Sequence, residues 1–218
     1  KKHGFCNFLY SNPNAHPMRD KLFHEISKYK KVDSLGKHLN NVMEQGTGFV
    51  GHAHECVSKK SPYKFSIASE NATFNGYTSE KILTSLEAHT IPIYWGDPLV
   101  CKHINPKCFI NCGDYNSIDE LVNYIKIIDN DDSLWCQMIS QPWQTEKQKL
   151  YSEKINEEYI SFFEQIFSYN YNEGHRIPEG TRPNIYRRYY FNAKSYMTTF
   201  ISRIINKIKR ITTFFKLN

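Results

Sequence analysis

Between Tyr63 and Pro98 the sequence YKFSIASENATFNGYTSEKILTSLEAHTIPIYWGDP leaves few choices of fold. The β-branched and aromatic run Tyr63–Ser69 predicts a strand, and the polar run from Glu70 to Thr78 a loop. Residues 79–89 have helical periodicity, and Ile91–Trp95 predicts a second strand, closed by Gly96-Asp97-Pro98. A strand, a helix and a strand in so short a stretch make a βαβ unit with parallel strands. The loop enters its helix through Tyr77-Thr78-Ser79-Glu80-Lys81. A hydroxyl cap, a carboxylate and an ammonium thus meet where the helix exposes unpaired N–H groups, a suitable place to hold a phosphate.

The rest of the chain extends this alternation. Residues 5–10 read as an aromatic strand, ended by Ser11-Asn12-Pro13-Asn14, and Pro17 opens a helix to Tyr29 with Met18, Leu22, Ile26 and Tyr29 at helical spacing. Arg19 sits in the first turn, where a cation opposes the helix dipole, and an anion bound at that end would remove the mismatch. Residues 107–112 (KCFINC) read as a further strand, and Ser117 with Glu120 as a capping box opening a helix to Ile128, with Leu121, Val122, Ile125 and Ile128 inward. A short helix over 133–140 and a long one over 145–169 follow, the latter with Ile155, Tyr159, Phe162, Phe163 and Ile166 placed to pack across the domain. Residues 32–39 and 47–57 carry no assignable pattern. The alternation predicts an α/β fold, a Rossmann-like doubly wound parallel sheet whose ligands sit at the carboxyl ends of the strands.

At 218 residues the chain is long enough for one ordinary domain and an appendage. The expected division is a domain over 1–169, a Pro/Gly/Asn-rich linker over 170–193 and a basic amphipathic helical tail over 194–218. The net charge of +6 belongs to the tail: from Arg176 onward there are ten Lys/Arg against one acid, Glu179, and the part before it is slightly acidic. Met197, Ile201, Ile204, Ile205, Ile208, Ile211 and Phe215 fall in one helical arc, with Arg203, Lys209 and Arg210 mostly opposite. Such a helix suits a membrane surface, where each basic residue near anionic lipid contributes about 1 kcal/mol, or packs its Ile stripe on another protein domain. It has no motif for reading nucleic acid. No apolar run reaches the ~18 residues of a membrane span. The chain starts Lys1-Lys2-His3 without an initiator Met, which suits the later part of a longer protein.

Six scattered cysteines without a CxxC pair suit free thiols in a reducing compartment better than a disulfide framework. The run His52-Ala53-His54-Glu55-Cys56 has metal-ligating residue types, but its spacing fits no zinc pattern, and exposed polar histidines are the simpler account. Asp129-Asn130-Asp131-Asp132 contains an Asp-x-Asp able to hold a divalent ion beside a diphosphate, though its place between two helices reads better as a solvated, capping turn. Asn71-Ala72-Thr73 is also a glycosylation acceptor pattern, set aside because modification there would block the proposed pocket.

Taken together, these residues resemble the glycosyltransferase family 10 fucosyltransferases, bacterial α-1,3-fucosyltransferases above all. The resemblance rests on Ser11-Asn12-Pro13-Asn14-Ala15 with Arg19, on Glu70-Asn71, on Tyr77-Thr78-Ser79-Glu80-Lys81, and on His89-Thr90-Ile91-Pro92-Ile93-Tyr94-Trp95-Gly96 followed by Asn105-Pro106. It covers about Phe5 to Ile128. Ser69 departs from the family's aromatic before Glu-Asn, an exchange expected to loosen the loop. The resemblance implies the C-terminal, donor-binding domain of a GT-B enzyme that transfers L-fucose from GDP-fucose to an N-acetylglucosamine-type glycan acceptor, α-1,3, with inversion. It implies that Arg19 and Lys81 neutralise the pyrophosphate, that Glu80 binds ribose or fucose hydroxyls, and that Asn71 and Tyr77 line the nucleotide-sugar. No metal or cofactor is required, and the general base lies in the family's first domain, with no residue here assignable to that role. Location at the cytoplasmic face of a bacterial membrane is expected, or at the Golgi membrane in a eukaryote. Singly, each of these residues has an ordinary structural account: solvated charges, a first-turn acid, a rim aromatic, a turn former. The competing functions are a non-catalytic membrane-associated nucleotide-binding domain and a transferase of another nucleotide-sugar.

Overall fold

The computed structural model describes residues 2–42 and 53–169. The linker and the basic tail, and His52 with them, lie outside the described residues. The chain divides into compact units after Glu158.

Among the described residues five strands form one parallel sheet: β1 (Gly4–Phe8), β2 (Val32–Ser34), β3 (Tyr63–Ser69), β4 (Ile91–Trp95) and β5 (Ile110–Asn111), in the order β2-β1-β3-β4-β5. Six α-helices among the described residues accompany it: α1 (Met18–Tyr29), α2 (Ala53–Lys60), α3 (Glu80–Glu87), α4 (Ile118–Asn130), α5 (Asp132–Ile139) and α6 (Glu146–Ser168). The alternation of side chains along the strands divides the interior. Phe65, Ile67, Ile91 and Ile93 face α1 and α4, meeting Leu22, Phe23, Ile26, Leu121, Ile125 and Ile128. Ala68 and Tyr94 face the other way, toward Ile82 of α3 and the segment Val100–Phe109. The doubly wound sheet expected from the sequence is therefore present. After β1 the chain steps outward to β2, and after β3 it steps the opposite way to β4. The crevice between the carboxyl ends of β1 and β3 is thus the topological switch point, where sheets of this order bind ligands.

Several local expectations are corrected. Residues 32–34 form a short edge strand, and His54, Glu55 and Cys56 lie in helix α2. Among the described residues no three His, Cys, Asp or Glu are grouped to hold a metal ion. The strand expected over 107–112 shrinks to Ile110–Asn111, because Pro106 starts a 3-10 turn held by the Asn105 side chain. Ser117 caps α4 through the Glu120 N–H, while Glu120 reaches back to the Asn116 N–H, one residue beyond an ordinary capping box. Asp129 is no solvated turn residue: it is buried and receives Lys30 at 2.9 Å, Lys64 at 3.6 Å and the Tyr29 hydroxyl at 3.1 Å. Asp131 caps α5 through the Leu134 N–H. These residues sit at the amino ends of the strands, away from the crevice. Tyr159, Phe162, Phe163 and Ile166, expected to pack inward, are exposed. No described helix is long and apolar enough to cross a membrane.

The face under α2 and α3 carries a polar seam. Lys60 is buried and its ammonium donates to Thr84 Oγ1 (2.8 Å), Ser85 Oγ (3.0 Å) and the Lys81 carbonyl (3.1 Å). Ser85 continues the chain to Ser66, and Ser66 to Asn7. Burial lowers the Lys60 pKa from 10.5 to about 8. Because the unfolded chain holds that proton up to the higher value, this group makes stability rise with pH between about 8 and 10.5, and its full penalty applies below that window. Denaturant titrations across this range are expected to show that rise, and Lys60→Met should flatten it and stabilise the neutral protein by up to about 3 kcal/mol.

Candidate functional site

Two loops meet over the switch point. One leaves β1 and enters α1 through Pro17; the other leaves β3 at Glu70 and enters α3 at Glu80. Their first tie is backbone to backbone, the His16 N–H donating to the Asn71 carbonyl at 2.8 Å. The His16 ring stacks on Trp95, at the end of β4, with centroids 4.5 Å apart.

Arg19 is only 1% exposed. Its guanidinium lies 4.1 Å from the Tyr10 ring centroid, and Nη2 donates to Asn71 Oδ1 (2.6 Å) and the Ser69 carbonyl (3.1 Å). A planar cation over an aromatic face, with its donors on fixed oxygens, is held rigidly. Nη1 makes only a 3.5 Å bond to the Asn12 carbonyl, and Nε is buried without a hydrogen-bond partner. Those N–H groups are the ones left to meet an anion. Arg19 also forms no ion pair among the described residues, so its charge is not cancelled by a carboxylate. Burial raises the Tyr10 phenol, which stays protonated while it accepts the Ser69 N–H (2.6 Å) and donates to the Ile67 carbonyl (2.9 Å). Ser69 is thereby tied at the end of β3 and buried.

The neighbouring residue, Glu70, holds a second cation. Its carboxylate is fully buried and accepts the Ser79 N–H (2.8 Å) and hydroxyl (2.7 Å), and the Lys81 ammonium lies 3.2 Å away. Lys81 also donates to Ser79 Oγ (2.9 Å) and pairs with Glu80 at 3.4 Å, yet 19% of its side chain remains exposed. Ser79 does not cap the helix as expected: its hydroxyl is spent on Glu70 and makes no cap bond to α3. First-turn N–H groups that side chains leave unpaired are placed to meet an anion. Burial works to raise the Glu80 pKa, but the Lys81 ammonium and nearby N–H and hydroxyl donors outweigh it and keep it ionised below its usual range.

Of the five residues proposed from the sequence, the structure therefore joins Arg19 to Asn71, and Glu80 to Lys81. The two pairs are linked through the adjacent residues Glu70 and Asn71. Tyr77 stands on the intervening loop, 41% exposed, its N–H donating to the Phe74 carbonyl. Sequence reasoning placed Glu70 in a motif without giving it a role, and treated Asp97 only as the close of a strand. Asp97 is buried and accepts the Gly76 and Leu99 N–H groups (both 2.8 Å) and the Thr78 hydroxyl (2.9 Å). A carboxylate two residues beyond a strand end, facing a Gly-containing loop, was the available signal.

The family model described as "Glycosyltransferase family 10 (fucosyltransferase) C-term" matches residues 1–169. An α-(1,3)-fucosyltransferase of Helicobacter pylori is 37% identical over 139 residues, covering 63% of this chain and 27% of that protein. A GDP-fucose protein O-fucosyltransferase 3 of Xenopus tropicalis is 33% identical over 128 residues, covering 56% of this chain and 26% of that protein. A crystal structure of an α1,3-fucosyltransferase with GDP-fucose superposes with a TM-score of 0.66 at 31% identity, covering 78% of this chain and 48% of that one. The match thus spans about a quarter of the length of these relatives.

Gly96 shows how tightly the site is packed: a Cβ there would collide with the Glu70 side chain. Gly96→Ala is expected to push Glu70 off Ser79 and Lys81 and to cost about 1–3 kcal/mol in urea denaturation, with a larger loss of anion affinity than Ala substitution at exposed Lys107.

Proposed function

This chain belongs to glycosyltransferase family 10, the fucosyltransferases, and we propose that it supplies the donor site of an enzyme transferring L-fucose from GDP-fucose to a hydroxyl of an N-acetylglucosamine-type glycan, α-1,3, with inversion. One observation carries this reading: Glu70 and Asn71, adjacent at the end of β3, each hold a cation, Lys81 at 3.2 Å and Arg19 at 2.6 Å, over the switch point of the sheet.

That arrangement suits a diphosphate leaving group. Breaking the bond between the sugar carbon and the phosphate oxygen gives the sugar oxocarbenium character and adds negative charge to GDP. Cations fixed beforehand stabilise that charge without reorganising as it grows. In this reading Lys81, partly exposed beside the first turn of α3, contacts the pyrophosphate. Arg19 adds an uncancelled positive charge from behind and, through Nη1 and Nε, donors to an oxygen that reaches them. Glu80, its side chain 68% exposed and ionised, accepts from ribose or fucose hydroxyls, and Asn71 and Tyr77 line the nucleotide-sugar. The carboxylate that takes the acceptor's proton on the opposite side of the sugar is assigned to the part of the protein outside this chain.

Thermal-shift titration tests the donor. GDP is expected to raise the melting temperature and UDP to leave it nearly unchanged, and equal stabilisation by both would point to another nucleotide-sugar. Lys81→Ala should weaken GDP binding by roughly 10–100-fold, the worth of a charge-assisted hydrogen bond. Fucose transfer by the full-length gene product should be lost in both Lys81→Ala and Glu80→Ala.

A further inference from the structure

We propose that Asp97 is a positioning residue of this site, a buried template that fixes the Thr73–Ser79 loop and sets Tyr77 against the bound nucleotide-sugar; the inference rests on the donor reading above.

The loop is short of stabilising contacts of its own. Phe74 and Tyr77 are both exposed, and its one internal bond runs from the Tyr77 N–H to the Phe74 carbonyl across a turn whose third residue, Gly76, has φ +80°. The corner after β4 supplies what is missing. The Thr73 hydroxyl donates to the Gly96 carbonyl (2.6 Å), the Gly76 N–H to Asp97 Oδ1 (2.8 Å), and the Thr78 hydroxyl to Asp97 Oδ2 (2.9 Å). Tyr77 is thus bracketed: the residue before it and the residue after it are both gripped by one carboxylate.

That carboxylate is itself immobile. It is 2% exposed, its own N–H donates to the Tyr94 hydroxyl (3.0 Å), and Oδ1 also accepts the Leu99 N–H (2.8 Å). Asp97 forms no salt bridge among the described residues: its hydrogen-bond donors are neutral, and His103 adds only a longer-range electrostatic contribution. Burial works to raise its pKa, but the Leu99 and Gly76 N–H groups and the Thr78 hydroxyl outweigh that and keep it ionised. A buried carboxylate that is held in its own corner by Leu99 and grips the residues on either side of Tyr77 has a geometric task. It fixes the backbone on which the aromatic ring stands, and so limits the ordering that donor binding must otherwise supply.

The test measures GDP-fucose affinity by calorimetry on the full chain, in a cycle pairing Thr78→Val with Tyr77→Ala. Thr78→Val cuts one of the loop's bonds to Asp97 from the loop side and leaves the buried carboxylate its two N–H donors. It is expected to cost about fivefold in affinity with Tyr77 present and less than about twofold in the Tyr77→Ala background. Asp97→Asn, whose amide can still accept both N–H groups and donate to Thr78, should stay within about twofold of the unsubstituted chain, while Asp97→Ala should not. An equal Thr78→Val loss in both backgrounds, or none in either, overturns the proposal. So does an Asp97→Asn loss as large as that of Asp97→Ala. If the unsubstituted chain binds neither GDP nor GDP-fucose, the donor reading itself falls. Binding with an additive cycle overturns the role of Asp97 alone.

Discussion

The residue that follows β3 carries the constraint on which the site depends. Complete burial of the Glu70 carboxylate is costly without donors and a countercharge, and the start of α3 supplies both through Ser79 and Lys81. Satisfying Glu70 fixes where α3 begins and where the Lys81 ammonium stands. The next residue, Asn71, turns its amide oxygen to Arg19 and its carbonyl to His16, which fixes the start of α1 by the same means. Two helices that share no strand are therefore registered against each other by two consecutive residues. Lys81 is paired with Glu70 and Glu80, while Arg19 forms no ion pair among the described residues and keeps N–H groups that Asn71 and Ser69 do not occupy. Rigid placement of the two cations, rather than a surplus of charge, suits them to a negative charge that grows during a reaction.

Arg19 shows how a protein keeps a cation that its helix does not favour. In the first turn of α1 it opposes the dipole, and alone it would project into solvent. The fold buries it instead, offering the Tyr10 ring as a face and the carbonyl of Ser69 as an acceptor, while Tyr10 in turn is anchored to the backbone of β3. Lys60 is the opposite case, a cation buried beneath α3 whose polar seam serves packing, and whose lowered pKa records the cost.

Much of this arrangement was legible in the sequence because its parts are local. The βαβ unit, the parallel sheet and the helix starts carrying Arg19 and Lys81 follow from periodicity and turn residues within short windows. What the sequence concealed is long-range. Nothing near Asp129 announces that Lys30 and Lys64 converge on it, so an ion-paired anchor resembled a solvated turn. The strand expected at 107–112 yielded to a proline whose effect depends on Asn105. β2 is three residues long, too short for a period to show, and α2 was hidden by histidines suggestive of ligands. Glu70 was visible as a motif member, but the residue that packs against its side chain, Gly96, lies a whole helix and strand away.

The two edges of the sheet use the same residue types to opposite ends, and the helix directions explain why. At the amino edge, where the last turns of α1 and α4 present carbonyl ends, Lys30 and Lys64 are matched by Asp129 and Asp132. There the cations answer both carboxylates and helix dipoles, and little field remains to draw a ligand. At the carboxyl edge the starts of α1 and α3 present N–H groups, which already favour an anion. Adding a carboxylate there would satisfy the field from within, as Glu70 partly does. Leaving Arg19 without one, and the first turn of α3 without a cap bond from Ser79, passes the remaining demand to whatever binds. The imbalance between the two edges, more than any single residue, suits the carboxyl edge to the anionic donor proposed for it.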